Sequence, residues 1–492
     1  MNIVIETGSG SIEGIEQDGI RRFLGVPYAQ PPVGDLRFAP PAPAAGWSGV
    51  RDATRAGASA PQRIKPFPGL DVMALVGDGG ERGDDYLTLN IAGPADATDR
   101  PVMVFIHGGG FVVGNKDAPV QDPTGFARSG IILVAINYRM GVDGFLPIPG
   151  APTNLGLRDM IAALGWVRDN IRAFGGNPDN VTVFGESAGA MAIADLVVSP
   201  LTTGLFRRAI VQSGHGSMVR EIPVAQRLVR KIARIMKVAP DVAGFRTLTP
   251  DQSIEAVERV STPKARIDLR DAQGREPVFG ISRFIPVFGD DVLPDHPLVA
   301  LAKGAGKDVE LLIGTNAEEM NLYWVPTGVK RKLFGLLARY ILSRSMPHAG
   351  RALKAYGLGR KGVKAGDAFA EATHDLVFRW PARRYAALHQ GKTHLYEFEW
   401  RSPMFGGALG ACHALELPFV FDTLSTATGP EGLAGEAPPQ ELATKIHSLW
   451  VQFATDGSLP WPEFDGETRQ VRQLESGRTV YEPVMAAAPF LS

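Results

Sequence analysis

The sequence predicts an α/β fold in which a mostly parallel sheet is covered by helices on both faces. The runs at 102–106 and 131–136 are continuously apolar, as expected of central parallel strands that are buried on both sides. A further apolar run at 311–314 is another candidate strand, and helical periodicity is clear over 157–174. Strands that alternate with helices favour an open sheet with helices on both faces.

Composition limits the classes of function. The chain has 492 residues, of which 45% are hydrophobic, and no internal repeat or linker divides it. We therefore expect one large domain over 1–492, with a helical lid or side region at about 320–400. Since 51 basic residues nearly balance 52 acidic ones, no overall charge attracts nucleic acid.

Three features bear on the cellular compartment. The single cysteine, Cys412, allows no intrachain disulfide, which fits a reducing compartment. The first residues enter a strand pattern without the basic and apolar regions of a signal peptide, and no apolar run has the length of a membrane span. We expect a soluble, cytoplasmic monomer or small homo-oligomer, without nucleic-acid partners or membrane contact.

The segment 330–364 is basic and has a helical pattern. We expect it to be a lid or side helix packed over the core, with a helix at a membrane surface as the alternative. Its expected apolar face consists of Leu333, Leu336, Leu337, Tyr340 and Ile341.

A serine lies at a sharp turn between a strand and a helix. The β-branched and aromatic run at 181–184 predicts a strand, and the apolar run at 190–194 predicts a helix. Between them lies Gly-Glu-Ser-Ala-Gly, with Ser187 at the centre. This Gly-x-Ser-x-Gly pattern, framed by a strand and a helix, is the known signature of a nucleophile elbow.

A serine nucleophile needs a histidine base, and in this fold class the histidine follows the serine and the acid along the chain. His413 lies in a glycine-rich loop before the apolar run at 415–421, which suits the base. His389 and His394 flank a Gly-Lys turn, and we expect them at the surface. The other histidines after the strand at 311–314 lie in or beside helical patterns and suit packing or solvated roles: His348, His374 and His447.

The acid is expected on a loop after a strand. Glu318 and Glu319 both follow the strand at 311–314, and the residues alone do not separate them. Asp290 and Asp291 are the rival acids.

The glycine run after the strand at 102–106 can supply an oxyanion hole, which needs backbone N–H groups directed at the developing charge. The run is His-Gly-Gly-Gly-Phe at 107–111, and glycine lets the backbone approach a substrate closely. The N–H of Ala188 would be a further donor.

The chain resembles the type-B carboxylesterase family, which includes bacterial p-nitrobenzyl esterases and cholinesterases. The matching motifs lie at 25–38, 137–139, 154–159, 174–189 and 413–419, so the resemblance covers almost the whole chain. It implies the α/β-hydrolase fold. It also implies Ser187 as nucleophile, His413 as base and Glu319 as acid, since the family's acid stands three residues after an Asn.

The same resemblance assigns supporting residues. It makes Gly109, Gly110 and Ala188 the donors of the oxyanion hole. Ser213 resembles a serine that bonds near the acid, and Glu186 is expected beside the triad.

Three departures from the family bear on its substrates and bonds. Tyr86 stands where the family usually has a cysteine of its first disulfide. The segment 69–83 contains no Trp, Tyr or Phe to bind a quaternary ammonium group, which disfavours choline esters. The segment 279–284 lacks the aromatic cluster of acetyl-selective relatives, which favours tolerance of bulkier acyl groups.

We therefore predict a serine carboxylesterase that hydrolyses small, uncharged carboxylic esters through an acyl-enzyme, without metal or other cofactor. Its rate should fall below about pH 6–7, where imidazole becomes protonated. The alternatives are a hydrolase of carbamates, amides or lipid esters on the same triad, and a catalytically silent binding or adhesion protein.

Overall fold

A mostly parallel, thirteen-stranded sheet forms the centre of the protein, with helices around it, and this confirms the predicted fold class. The computed structural model describes residues 1–262, 265–277, 279 and 281–491. The apolar runs at 102–106, 131–136, 181–184 and 311–314 all lie in its strands, as predicted, apart from the first residue of the second run.

The strands of the described residues are β1 Asn2–Thr7, β2 Gly10–Gln17, β3 Ile20–Pro27, β4 Val50–Asp52, β5 Thr88–Pro94, β6 Arg100–Ile106, β7 Ile132–Ile136, β8 Gly176–Glu186, β9 Arg208–Gln212, β10 Arg220–Glu221, β11 Val287–Phe288, β12 Glu310–Asn316, β13 Thr393–Phe398, β14 Gln470–Gln473 and β15 Thr479–Tyr481.

The α-helices of the same residues are α1 Met73–Val76, α2 Thr124–Arg128, α3 Gly141–Phe145, α4 Leu155–Asn170, α5 Ala188–Val198, α6 Ile222–Met236, α7 Val242–Arg246, α8 Pro250–Ser261, α9 Pro297–Ala302, α10 Asn321–Trp324, α11 Val329–Lys332, α12 Gly335–Ser343, α13 Ala349–Ala355, α14 Ala365–His374, α15 Trp380–Leu388, α16 Leu417–Val420, α17 Gln440–Asp456 and α18 Ala488–Leu491. A π-helix, Asp375–Arg379, joins α14 to α15.

The strand order in the main sheet is β1-β2-β3-β5-β7-β6-β8-β9-β12-β13-β14-β15, with β4 beside β2. From β7 through β14 all neighbours are parallel. Toward the two edges the neighbours are antiparallel, except that β4 is parallel to β2. The strands β6, β8 and β12 therefore end at the same edge of the sheet, where open α/β sheets hold their ligands.

The two faces of the sheet carry separate apolar cores. Along β6, Val102, Val104 and Ile106 pack into one core, while Met103 and Phe105 pack into the other. Because side chains alternate across a strand, a strand buried on both faces must be apolar throughout. This explains why β6 was recognisable from the sequence.

The surface placement expected for His389 and His394 was wrong, because both side chains are buried. His389 bonds through its ring nitrogens with Thr393 Oγ1 at 2.8 Å and with the Gly306 carbonyl at 2.9 Å. The turn between the two histidines leads directly into β13, an interior strand of the sheet, so both residues are covered by neighbouring elements.

The basic segment forms three short helices, α11, α12 and α13, and its predicted apolar face was only partly correct. Leu333 is buried and Ile341 half-buried, whereas Leu336, Leu337 and Tyr340 are exposed. The periodicity does not run on from 330, because α11 ends at Lys332 and α12 begins at Gly335. This break turns a different face, which includes Ala338 and Leu342, toward the protein.

Among the helices of the described residues, none combines the length and the apolar character that crossing a bilayer requires.

A buried ion pair joins three parts of the chain behind the sheet edge. Arg139 and Asp159 are both fully buried, and Asp159 accepts from the backbone N–H, Nε and Nη2 of Arg139 at 2.7–2.9 Å. Arg139 Nη1 also donates to the Ala39 carbonyl at 2.7 Å. The pair ties α4 to the loop after β7 and to the N-terminal region.

We expect Asp159→Asn to lower the free energy of unfolding by about 3–5 kcal/mol, because it leaves the Arg139 charge buried without its counter-charge. Urea unfolding measures this change. Asp169→Asn, on an exposed residue of the same helix, should change the stability by no more than about 0.5 kcal/mol. Equal midpoints for the two variants would contradict the role given to the pair.

Candidate active site

Ser187 lies at the turn between β8 and α5, with φ 55° and ψ −122°. The turn is sharp enough to need glycine on both sides. A Cβ at Gly185 would lie 2.5 Å from the carbonyl oxygen of Ile106, and one at Gly189 would lie 2.0 Å from the same atom. The neighbouring strand β6 therefore fixes the turn, and the strained backbone holds the Ser187 hydroxyl above the sheet edge.

A line of hydrogen bonds connects Ser187, His413 and Glu319. Ser187 Oγ lies 2.8 Å from His413 Nε2, and His413 Nδ1 lies 2.7 Å from Glu319 Oε2. All three side chains are buried. The structure thus brings together the three residues that the family resemblance selected, although they come from distant parts of the sequence.

Local hydrogen bonds hold the Glu319 carboxylate in place. Its Oε1 accepts from the backbone N–H of Asn316 at 2.8 Å, and its backbone carbonyl accepts from the His413 N–H at 3.1 Å. The side chain of Asn316 donates to the Cys412 carbonyl at 2.7 Å, which ties the end of β12 to the histidine loop. Glu319 and His413 are therefore held by the same short hydrogen-bond network.

The other candidate acids make contacts elsewhere. Glu318 forms an ion pair with Arg401 and accepts from the Ala411 N–H at 3.0 Å. Asp290 accepts from the side-chain amide of Asn154 at 2.9 Å, and Asp291 pairs with Arg158. Only the backbone path after β12 separated Glu318 from Glu319, which is why the residues alone left the choice open.

The proposed oxyanion donors have unoccupied N–H groups. Among the described residues, the backbone N–H groups of Gly109, Gly110 and Ala188 have no hydrogen-bond acceptor. Gly109 has φ 106°, and a Cβ there would lie 2.0 Å from the Val113 carbonyl oxygen. The loop therefore keeps this shape only with glycine, and free N–H groups beside a nucleophile can hold a developing negative charge.

Surrounding side chains fix the loop that carries these glycines. Tyr138 donates to the His107 carbonyl at 2.8 Å, and the two rings stack at 4.5 Å. Ser282 Oγ donates to the Gly110 carbonyl at 2.7 Å. Gln62 exchanges two hydrogen bonds with the backbone of Gly114, both at 2.8 Å. The loop is consequently anchored at both ends and in its middle.

A second carboxyl group contacts the same imidazole nitrogen as Ser187 does. Glu186 Oε1 lies 3.1 Å from His413 Nε2, and its side chain is buried. Burial lowers the pKa of His413, but Glu186 and Glu319 outweigh this effect and raise that pKa above the usual value for histidine. Burial raises the pKa of Glu186, which the His413 ring partly opposes. The two groups therefore titrate as a pair.

Glu416 is a further buried carboxyl that the sequence reasoning did not assign. It accepts from Asn316 Nδ2 at 2.6 Å and from Gln212 Nε2 at 3.2 Å. Burial and the nearby Glu319 raise its pKa. Its position inside the apolar run after His413 was the one sequence feature that could have indicated a buried carboxyl group.

The Ser213 hydroxyl does not make the bond expected from the resemblance. Its Oγ is buried and has no hydrogen-bond partner within the described residues, although its backbone N–H donates to the Gly314 carbonyl at 2.8 Å. Ser213 directly follows β9, so it lies at the same sheet edge as the triad.

A cavity of about 370 Å³ opens in front of Ser187, and its wall is mainly apolar. Phe378 packs beside His413 with ring centroids 4.7 Å apart, and Tyr323 lies 5.8 Å from the same ring. Phe378 belongs to the π-helix, and no sequence pattern indicated its place in the site. The apolar residues along the wall include Phe67, Leu75, Phe111, Met191, Met218, Ile281, Ile285 and Leu322.

The cavity wall also carries charged residues that are paired with one another or with neighbours. Arg63 and Lys65 both pair with Glu258 of α8, at 2.6 and 3.1 Å. Inside the cavity, the Asp143 carboxylate is paired with Arg37 at 3.1 Å. The segment 279–284, expected to leave room for a bulky acyl group, contributes Ile281 and Ser282 to the wall, while Gly280 lies outside the described residues.

No group of three or more His, Cys, Asp or Glu side chains in the described ranges has the arrangement of a metal site.

The comparisons with known proteins agree with this geometry. The sequence model of the Carboxylesterase family matches residues 1–487. The chain is 35% identical to the para-nitrobenzyl esterase of Bacillus subtilis, with 97% of this chain and 96% of that protein covered. It is 33% identical to the phenmedipham hydrolase of Pseudarthrobacter oxydans, with 94% and 92% covered.

Solved structures give the same answer. A PNB esterase superimposes with a TM-score of 0.85 at 30% identity, and both chains are covered completely. A Geobacillus stearothermophilus carboxylesterase superimposes with a TM-score of 0.82 at 31% identity, with 99% of each chain covered. The α/β-hydrolase fold and the match over almost the entire chain lead to one conclusion: the protein belongs to the Carboxylesterase family and is a serine esterase that hydrolyses carboxylic esters.

Proposed function

We propose that Ser187, His413 and Glu319 are the nucleophile, base and acid of this esterase, and that its substrates are small, uncharged carboxylic esters. The observation that carries the proposal is the line of hydrogen bonds from Ser187 Oγ through the imidazole to Glu319, at 2.8 and 2.7 Å. A base bonded to its nucleophile and oriented by a carboxylate is the arrangement that activates a serine.

The reaction then follows in two halves. Ser187 Oγ attacks the ester carbonyl while His413 Nε2 takes its proton, and the positive ring is stabilised by Glu319. The tetrahedral intermediate collapses as His413 returns the proton to the departing alcohol, which leaves the acyl group on Ser187. Water, deprotonated by the same ring, releases the carboxylic acid and restores the serine.

We assign the stabilisation of the intermediate to the N–H groups of Gly109, Gly110 and Ala188. Among the described residues these N–H groups have no acceptor, and all three residues line the same cavity as Ser187, so they are available to an oxyanion. Glu186 and Ser213 are proposed as supporting residues, Glu186 through its contact with His413 and Ser213 through its position beside the triad.

The preference for uncharged esters rests on the wall of the cavity. Its interior is largely aliphatic and aromatic, and the Asp143 charge is already neutralised by Arg37. A charged acyl group would lose its hydration against this apolar wall, which is unfavourable. An uncharged group instead gains from burial of its apolar surface.

We further propose one catalytic domain over 1–492, in which the helical region at about 320–400 is a side wall of the site. Leu322, Tyr323 and Phe378 of this region line the cavity. The single cysteine, Cys412, supports a reducing compartment such as the cytoplasm, and we propose a monomer or small homo-oligomer there.

A small organophosphate should add once to the wild-type protein and not to Ser187→Ala, because only an activated serine attacks phosphorus at an appreciable rate. Intact mass after brief exposure measures the adduct. Ser261→Ala removes another serine of the same cavity and should keep the adduct. An adduct on Ser187→Ala would show that the nucleophile is a different residue.

Gly109→Ala should lower kcat by about 10²–10³-fold with a smaller change in KM, because the added Cβ displaces an oxyanion donor. Steady-state kinetics with a p-nitrophenyl ester measures both constants. The matched control is Gly165→Ala on α4, where a Cβ meets no atom within 4 Å, and its kinetics should be unchanged. An unchanged kcat in Gly109→Ala would remove Gly109 from the oxyanion hole.

The acid limb of kcat/KM should lie at a higher pH than the value of about 6.5 expected for an unperturbed histidine, because the pKa of His413 is raised and only the neutral ring is a base. Glu186→Gln removes one source of this rise, so its limb should move to lower pH. A pH–rate profile measures both. Glu441→Gln, at an exposed position on α17, should keep the wild-type limb, and a limb in Glu186→Gln at or above the wild-type position would contradict this account.

A further inference from the structure

An exposed apolar face on α12 has no function in the site described above. We define the α12 face as Phe334, Leu336, Leu337 and Tyr340, whose exposed fractions are 60%, 74%, 37% and 62%. The opposite side of the same segment, with Leu333, Ala338 and Leu342, is buried in a small apolar core. The helix is thus apolar on two sides, and one of them faces solvent, which usually marks a contact surface.

The surroundings of the α12 face carry an unusual excess of positive charge. From Met320 to Gly366 the sequence has ten Lys or Arg residues and no Asp or Glu, in a chain whose net charge is −1. Lys330 lies 3.9 Å from Asp367, but the other nine are exposed and form no ion pair within the described residues. They are Arg331, Lys332, Arg339, Arg344, Arg351, Lys354, Arg360, Lys361 and Lys364.

We propose that the α12 face and its basic surroundings bind the surface of an anionic lipid bilayer. Exposed Leu, Phe and Tyr side chains can enter the boundary between head groups and acyl chains, while the flanking cations interact with negative head groups. The apolar face therefore matches the acyl chains of the bilayer, and the basic surroundings match its head groups. The binding is peripheral and does not depend on the proposed catalytic roles.

Two other partners fit the surface less well. A second copy of this chain would bring two identical, strongly basic surfaces together, and like charges repel. Nucleic acid or an acidic protein would satisfy the charges. Neither, however, explains why aliphatic side chains such as Leu336 are exposed among them.

The position of the face gives membrane binding a consequence for the esterase. The helix α10, which precedes α11 and α12, places Leu322 and Tyr323 in the wall of the cavity. Only about ten residues separate this wall from the exposed face. Membrane binding would therefore hold the site near esters that partition into the bilayer.

Sedimentation with lipid vesicles tests the proposal on the full chain. Wild-type protein should pellet with vesicles that contain phosphatidylglycerol and remain in solution with phosphatidylcholine alone, and added salt should weaken the binding. Two variants probe the two halves of the surface: Leu336→Ser/Tyr340→Ser, and Arg331→Gln/Lys332→Gln/Arg339→Gln/Arg344→Gln. Each variant should bind phosphatidylglycerol vesicles at least about tenfold more weakly than the wild type does.

A matched control removes the same charge from another basic helix. Arg230→Gln/Lys231→Gln/Arg234→Gln/Lys237→Gln neutralises four residues on and just after α6, which carries no exposed large apolar side chain. It should bind as the wild type does. Hydrolysis of a soluble p-nitrophenyl ester at the wild-type rate verifies that each variant is folded.

Three results would overturn the proposal. They are wild-type binding that is absent or does not depend on phosphatidylglycerol, equal losses in the α6 and α12 charge variants, and undiminished binding by Leu336→Ser/Tyr340→Ser. The last result, together with equally tight wild-type binding to polyglutamate or DNA, would assign the surface to an acidic macromolecule. Should the α12 variants fail to fold, hydrogen exchange of the wild type decides: phosphatidylglycerol vesicles should protect the amides of 334–343, and unchanged exchange there counts against the proposal.

Discussion

The packing of the turn at Ser187 against β6 is the constraint on which the rest of the site depends. Neither Gly185 nor Gly189 can accept a Cβ, because the carbonyl oxygen of Ile106 lies where that atom would be. The close approach forces Ser187 into a strained backbone conformation and places the first N–H of α5 beside its hydroxyl. The same strand then continues into the glycine loop, so one contact between two strands aligns the proposed nucleophile with the proposed oxyanion donors.

The acid and base are aligned with this turn by the parallel sheet. Because β8 and β12 end at the same edge, Ser187 and Glu319 lie close together although they are far apart in sequence, and the long loop after β13 brings His413 to them. Asn316, the last residue of β12, bonds both to Glu319 and to the histidine loop. The register of the strands therefore positions Ser187 and Glu319, and the hydrogen bonds of Asn316 hold the histidine loop against them.

Negative groups cluster inside the molecule around His413, whereas positive groups cluster at the surface around α12. Three buried carboxyl groups, Glu186, Glu319 and Glu416, lie around His413 and raise the pKa of its imidazole, which favours the protonated ring. At the surface, nine cations of one segment, none of which forms an ion pair with another described residue, surround the exposed apolar face of α12. The buried carboxyl groups suit proton transfer by the imidazole, and the surface cations suit contact with a large external partner.

The sequence by itself determined the buried strands, the elbow and the roles of Ser187 and His413 as candidates. These features follow from local patterns: continuous apolar runs for β6 and β7, glycine around a sharp turn, and a histidine in a glycine-rich loop. The resemblance chose Glu319 over Glu318, and the tertiary structure places Glu319 against His413 and Glu318 against Arg401. Only the tertiary structure showed that His389 and His394 are buried, that Phe378 lies beside the imidazole and that the α12 face is exposed. Each of these depends on which surface a backbone turns toward its neighbours, and that is set by packing between distant segments, which no local pattern contains.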